Sequence, residues 1–212
     1  MAIDVRPMRT TRDRRIFLTF PWRIYRDDPL WVPPLLPDRA AMIDPQRGVF
    51  FERGEADFFI AWRDGQPVGT ICAANDRATN AFGEQRDCMI GFFDYIEDEA
   101  VFEALLSRAA EWARTHGLDT LYGPFNLDYE NGYGVLVEGR DRPPALMCGH
   151  TPPYYVQFME RFGFQPARGD NVAFQVALTD PPSASFQRLS RLAGRVREEG
   201  QATVRGADLA HW

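Results

Sequence analysis

Apolar and polar positions along the chain change period several times, and each change marks an element. Ile3–Met8 alternates over a few residues and predicts an opening strand. Thr11 is placed to cap a helix from Arg12 to about Tyr25, interrupted at Pro21, since proline ends or kinks a helix. Residues 27–54 are rich in proline and aromatics and predict a covering segment with one short helix near Pro37–Ile43. Asp57–Arg63 and Gln66–Ala74 flank Asp64-Gly65, and Asp-Gly between apolar runs is a strong hairpin signal. Asn75–Gln85 is polar and predicts a loop, and Cys88–Tyr95 predicts a further strand.

Glu97–His116 is the clearest helix. Val101, Leu105, Ala109 and Trp112 recur at helical spacing, and Gly117 follows where a left-handed terminator belongs. Thr120–Gly123 then predicts a buried strand, and strand–helix–strand order implies a right-handed crossover with parallel neighbours. Asn126–Gly134 is a polar loop, with a strand expected at Val135–Glu138. Thr151-Pro-Pro starts a short helix, with Thr as cap and Pro in the first turn. Its apolar face is Tyr155, Phe158, Met159 and Phe162, and Gly163 closes it. Phe164–Ala167 and Val172–Leu178 read as a closing pair of strands. After Pro181-Pro182 an amphipathic helix is expected at about Ser185–Glu199, then a short strand at Ala202–Arg205. The organisation is a domain over residues 1–179 and a linker helix with the start of a further unit over 180–212.

Composition narrows the classes of function. With 212 residues, 45% of them hydrophobic and 25% charged, the chain can bury a substantial core. Its net charge of -6, without a basic run, argues against nucleic acid as a partner. Every basic side chain other than His is Arg, which excludes a catalytic Lys or a Schiff base. The first residues lack the basic and apolar stretches of a signal peptide, and no apolar run suffices to span a membrane. The scattered Cys72, Cys88 and Cys148 read as thiols of a cytoplasmic protein. Cys148-Gly-His150 offers too few ligands for zinc, so no metal is expected.

One constellation carries chemistry. Asn126, Asp128, Glu130 and Asn131 cluster after Gly123-Pro124, where a carboxylate could deprotonate an amine directly or through water. The same residues equally suit a solvated turn held by side-chain hydrogen bonds. Glu130 and Asn126 are the polar candidates to follow.

The element order, together with Tyr154-Tyr-Val-Gln-Phe-Met-Glu-Arg-Phe-Gly-Phe164, resembles the GNAT acyltransferase superfamily. Asp27-Asp-Pro-Leu-Trp-Val-Pro-Pro, Gly91-Phe-Phe-Asp, Leu121-Tyr-Gly-Pro and Pro152-Pro-Tyr-Tyr look like the N-terminal half of bacterial tandem GNAT-like proteins. The resemblance implies an α/β (α+β) fold with a mixed central sheet and helices on both faces. It implies an N-acyltransferase, or the degenerate half of one, with acetyl-CoA or a longer acyl-CoA as co-substrate. The acceptor it implies is a small-molecule or lipid amine. Phe92, Phe93 and Asp94 would then lend backbone groups to a pantetheine arm.

Two hallmarks of that family are altered. The Gly-rich phosphate loop is replaced by Asp94-Tyr-Ile-Glu-Asp-Glu-Ala-Val, whose acids would repel a pyrophosphate. The position of the family's Tyr general acid holds Met159, leaving Tyr155 as the nearby phenol, on a face that equally suits core packing. These departures keep open a second reading, in which this half is non-catalytic and serves acceptor binding or dimerisation. Val204-Arg205 echoes Val5-Arg6, as the start of a second, missing half would, and a strand added to a neighbour's sheet edge would make a homodimer.

Overall fold

The computed structural model describes residues 2–128, 131–146, 148–167, 169–174, 181–200, 203, 205 and 206. It divides into two compact units, Met1–Gly169 and Asp170–Trp212. In the first, the strands β1 (Asp4–Pro7), β2 (Gly54–Arg63), β3 (Gln66–Asp76), β4 (Asp87–Tyr95) and β5 (Thr120–Tyr122) form one sheet in chain order. The first three pairings are antiparallel and β4·β5 is parallel. The helices are α1 (Thr11–Thr19), α2 (Pro21–Ile24), α3 (Leu36–Met42), α4 (Arg77–Gly83), α5 (Glu99–Thr115) and α6 (Tyr154–Phe162). In the second unit, α7 (Ala184–Glu198) is capped by Ser183, whose hydroxyl accepts the Phe186 N–H.

Local chemistry accounts for most of these boundaries. Asp64 and Gly65 adopt positive φ of 51° and 75°, as a two-residue hairpin turn requires. α1 is capped one residue earlier than expected. Thr10 Oγ1 accepts the Asp13 N–H at 3.0 Å and the Asp13 carboxylate accepts the Thr10 N–H at 3.0 Å, a reciprocal box. Residues 75–85 are not a loop throughout: Asp76 caps α4 by accepting from Thr79 N–H at 3.0 Å. The buried anchor of α4 is Asn80, which bonds the Asp87 carbonyl and N–H at 3.0 and 3.1 Å, so no apolar stripe announces it.

Other expectations are corrected. Thr151 does not cap α6; its Oγ1 accepts from Leu136 N–H at 2.8 Å, and Pro153 holds the cap position without a side-chain bond. That same bond takes the donor of Leu136, and Gly134 and Gly139 flank the segment at positive φ, so Val135–Glu138 is not a strand. Phe164–Ala167 and Val172–Phe174 are irregular, and residues 175–178, Ala202 and Val204 lie outside the described residues.

The sheet is packed on both faces. Phe59, Ile71, Ile90 and Phe93 meet α5 and α6 on one side. Phe58, Ile60, Cys72 and Phe92 meet Phe17 of α1, with Ile43 and Phe50, on the other. Side chains alternate along a strand, so this double burial needs apolar residues at consecutive positions, as Phe58-Phe59-Ile60-Ala61 supplies.

β4 breaks this alternation once. Cys72 pairs with Gly91 and Thr70 with Asp94, so Phe92 and Phe93 together oppose Ile71. This is a bulge, with Phe92 at φ 46°. Cys88 and Ile90 point to the α5 face before it, and Phe93 and Tyr95 do so after it. The shift turns Asp94 to the opposite face, beneath α3. Two side chains hold the bulge: Asn126 Oδ1 accepts the Phe92 N–H at 2.6 Å, and Thr70 Oγ1 donates to the Phe92 carbonyl at 2.9 Å. Beside it, the Phe125 carbonyl approaches Gly91 so closely that a Cβ there would overlap it.

The Gly91→Ala substitution tests that close approach. It is expected to destabilise the domain by about 2 kcal/mol or more, because the overlapped atom is backbone and cannot swing away. The urea midpoint of unfolding, at unchanged slope, reads the effect.

Candidate active site

Of the expected site residues, Asn126, Tyr155, Phe92, Phe93 and Asp94 lie at or beside the far end of β4, in roles set by backbone needs. β5 pairs with β4 only from Asp87↔Thr120 to Met89↔Tyr122. Past that point the edge of β4 lacks a strand. Asn126 substitutes for one: its Oδ1 takes the Phe92 N–H, and its Nδ2 donates to the Asn131 carbonyl at 2.9 Å. Farther along, the first residues of α6 substitute. Tyr154 hydroxyl donates to the Tyr95 carbonyl at 2.6 Å, and Tyr95 N–H donates to the Tyr155 hydroxyl oxygen at 3.2 Å. The Tyr155 ring also stacks on Tyr95, with centroids 4.3 Å apart. Burial, with Tyr25 and Asp94 nearby, pushes the Tyr155 phenol well above its ordinary pKa. It stays protonated and can donate. Glu130 lies outside the described residues. Phe92 has both backbone groups engaged, Asp94 stands in the ladder opposite Thr70, and the register passes over Phe93.

Sequence reasoning missed the residue that faces Asp94. Arg39 of α3 is buried, with Nη2 3.6 Å from Asp94 Oδ2 and its guanidinium 4.7 Å over the Phe92 ring. Burial raises the Asp94 pKa, opposed by the Arg39 charge and the Tyr25 hydroxyl. Burial lowers that of Arg39, opposed by Asp94 and Tyr25. Tyr25 also interacts with Tyr155, so this polar group reaches around the β4 edge to α6.

A second pair adjoins it. His150 Nε2 lies 2.6 Å from Asp28 Oδ2, across 122 residues of chain. The other Asp28 oxygen accepts the Leu30 N–H at 2.9 Å. Hydrogen bonding from His150 is the main cause of a lowered Asp28 pKa. The His150 ring sits 6.1 Å from that of Tyr25, which stacks on Trp31 at 4.9 Å, and Trp22 meets Trp31 edge-on at 5.2 Å. The proline- and Trp-rich segment thus walls this group with aromatic rings.

Four atoms here lack a hydrogen-bond partner among the described residues although they are buried: Arg39 Nε and Nη2, the Tyr95 hydroxyl and His150 Nδ1. Folded interiors pair nearly all such atoms; Arg63 Nε and Arg108 Nε, elsewhere in the fold, are two further exceptions among the described residues.

The start of α5, where a phosphate loop belongs, is built differently. Asp98 is its cap: Oδ1 accepts from Val101 N–H at 3.2 Å and Oδ2 pairs with Arg63 at 2.7 Å. Glu99 pairs with Arg161 at 3.4 Å. The acids around this end are therefore less repulsive than their sequence suggests, since Asp94, Asp98 and Glu99 each face an Arg. The fit to a pyrophosphate is poor for a second reason, because a carboxylate already occupies the helix end that would receive the anion. No metal-binding cluster occurs among the described residues.

A sheet in this order, with a bulged fourth strand diverging from the fifth and a long helix between them, defines the GNAT acyltransferase fold. The chain shares it with a tandem GNAT protein from the clavulanic acid biosynthesis pathway, at a TM-score of 0.51 and 16% identity over 76% of this chain and 43% of that one. It is 34% identical over 191 residues to a bacterial ceramide synthase of Caulobacter vibrioides, covering 89% of this chain and 50% of the relative. It is 33% identical over 161 residues to the protein YghO of Escherichia coli, covering 76% and 41%. The chain thus spans about half the length of the curated relatives it matches. No protein-family profile matches it. No helix among the described residues is long and apolar enough to cross a membrane.

Two substitutions probe the electrostatics. Asp94→Ala leaves Arg39 buried and unpaired, and should cost about 3 kcal/mol of stability, most of it regained in the double variant with Arg39→Met. Denaturant unfolding of the wild type, both single variants and the double variant forms the cycle. Asp98→Ala removes the α5 cap and should cost about 1 kcal/mol at neutral pH. The folded pKa of Asp98 lies below its unfolded value, first through the Arg63 bond. Its contribution is therefore complete above the unfolded value of about 3.9 and disappears as pH falls through the folded one. The stability curves of wild type and variant should converge in acid.

Proposed function

We propose that this chain forms the amine-acceptor side of an N-acyltransferase, which joins an acyl group from a thioester to an amine as an amide. The buried, unpaired polar atoms at the divergent end of β4 carry this reading. They lie where the fold opens its sheet, behind an aromatic wall suited to an amphiphile. The ceramide synthase among the relatives supports it, since a ceramide is a fatty amide of a long-chain amino alcohol. We take the acyl donor to be acetyl-CoA or a longer acyl-CoA, and the acceptor to be a lipid or small-molecule amine.

The capped start of α5 favours a division of labour. The nucleotide end of acyl-CoA is held outside this half, and residues from about 180 onward lead toward a second GNAT-like half. Tyr155 supplies a protonated phenol at the reaction end, Asn126 keeps the β4 bulge in shape, and Glu130 is a candidate by residue type alone.

Calorimetry with the chain tests this division. Micromolar binding is expected for n-decylamine and not for acetyl-CoA or palmitoyl-CoA. Micromolar binding of either acyl-CoA would place the donor site in this half and overturn the division.

A further inference from the structure

We infer that His150 is the proton acceptor for the incoming amine, with Asp28 as its positioning residue. The inference rests on the acyl-transfer reading above and assigns a residue to one step of it. Three observations lead to it. The imidazole is buried, with a side chain only 7% exposed, and Nε2 is 2.6 Å from a carboxylate oxygen. In its neutral form the ring then carries its proton on Nε2 and leaves the Nδ1 lone pair as the acceptor. Nδ1 is itself buried and faces no hydrogen-bond donor among the described residues. A carboxylate that orients an imidazole while its other nitrogen is left bare is the arrangement of an oriented base.

The surroundings favour an amine over other donors. The Tyr25 ring beside His150 stacks on Trp31, and aromatic faces attract ammonium groups. Asp94 lies beyond Tyr25 and contributes negative charge to the same group. Arg39 pairs with Asp94 through Nη2, while its buried Nε has no hydrogen-bond partner among the described residues and suits an oxygen of the acyl group or of the acceptor.

The step balances as follows. The amine nitrogen attacks the thioester carbonyl carbon, a C–N bond forms and the C–S bond breaks with its electron pair on sulfur. The proton lost from nitrogen goes to His150 Nδ1 and then to the departing thiolate, so the imidazole ends neutral.

The hydrogen bond from Leu30 N–H supplies a sharp variant. It holds Oδ1 of residue 28, so in Asp28→Asn the amide NH2 takes the place of Oδ2. It would then donate to Nε2, move the ring proton to Nδ1 and remove the acceptor lone pair without changing volume.

The test is 15N NMR of the three histidines, with n-decylamine added to the whole chain. In the wild type His150 should carry its proton on Nε2, and decylamine should shift the bare Nδ1 resonance. In Asp28→Asn the proton should move to Nδ1, the decylamine shift should vanish and affinity should fall at least about tenfold. His150→Gln should lose affinity similarly while retaining the wild-type amide spectrum elsewhere. A free-state His150 protonated on Nδ1 overturns the assignment. So does decylamine binding that leaves the Nδ1 resonance unmoved, and that result leaves the acyl-transfer reading standing. Absence of decylamine binding by the wild type overturns both. Acyl-CoA binding by this half overturns only the division of labour.

Discussion

The bulge at Phe92–Phe93 is the constraint from which the rest of the site follows. Before it, alternate residues of β4 face α5; after it, the phase is reversed and Asp94 faces α3. Without the extra residue the Asp94 carboxylate would enter the apolar layer under α5, away from Arg39. With it, the carboxylate meets Arg39, and Phe92 forms the ring under the guanidinium. The strain of a positive φ at a phenylalanine is sustained by bonds to both of its backbone groups, from Asn126 and Thr70.

Regular pairing with β5 ends at Met89, just before the bulge. A strand edge left in the interior needs partners for its N–H and C=O groups. Side chains supply them here: Asn126 at Phe92, and Tyr154 and Tyr155 at Tyr95. Using side chains instead of a strand lets α6 approach β4 from beside the sheet. Groups from both faces, Tyr25 on one and Tyr95 on the other, then come within reach of Tyr155.

A buried ion pair and unpaired buried donors lower stability compared with an apolar filling of the same volume. The Arg39–Asp94 pair, the Tyr95 hydroxyl and His150 Nδ1 lie toward one end of the sheet, while its middle is filled with Phe, Ile, Cys and Ala. The capped start of α5 serves the fold. Asp98 stabilises the longest helix in the place where related folds leave backbone donors open to a phosphate, so support of the helix and anion binding compete for the same N–H groups.

Much of the fold was legible because its signals are local. Asp64-Gly65 set the hairpin, the stripe of Val101, Leu105, Ala109 and Trp112 set α5, and Gly117 and Gly163 set helix ends. The missing phosphate loop and the cluster around Asn126 could also be read from residue types. α4 could not, since its buried residue is the polar Asn80, and the end of α6 nearest Tyr154 misled because Thr151 turns to Leu136 instead. The partners Arg39 with Asp94 and Asp28 with His150 left no trace, because pairs so far apart in the chain have no period to betray them. By itself, then, the sequence determined the β2–β3 hairpin, the course of β4 and α5, and that the helix end before Glu99 is acidic, since these depend on neighbours a few residues away. The tertiary structure alone decided which way Asp94 points, which Arg answers each acid and which histidine nitrogen is left bare. Those outcomes depend on a one-residue shift in strand register and on the packing of distant segments, which local pattern does not encode.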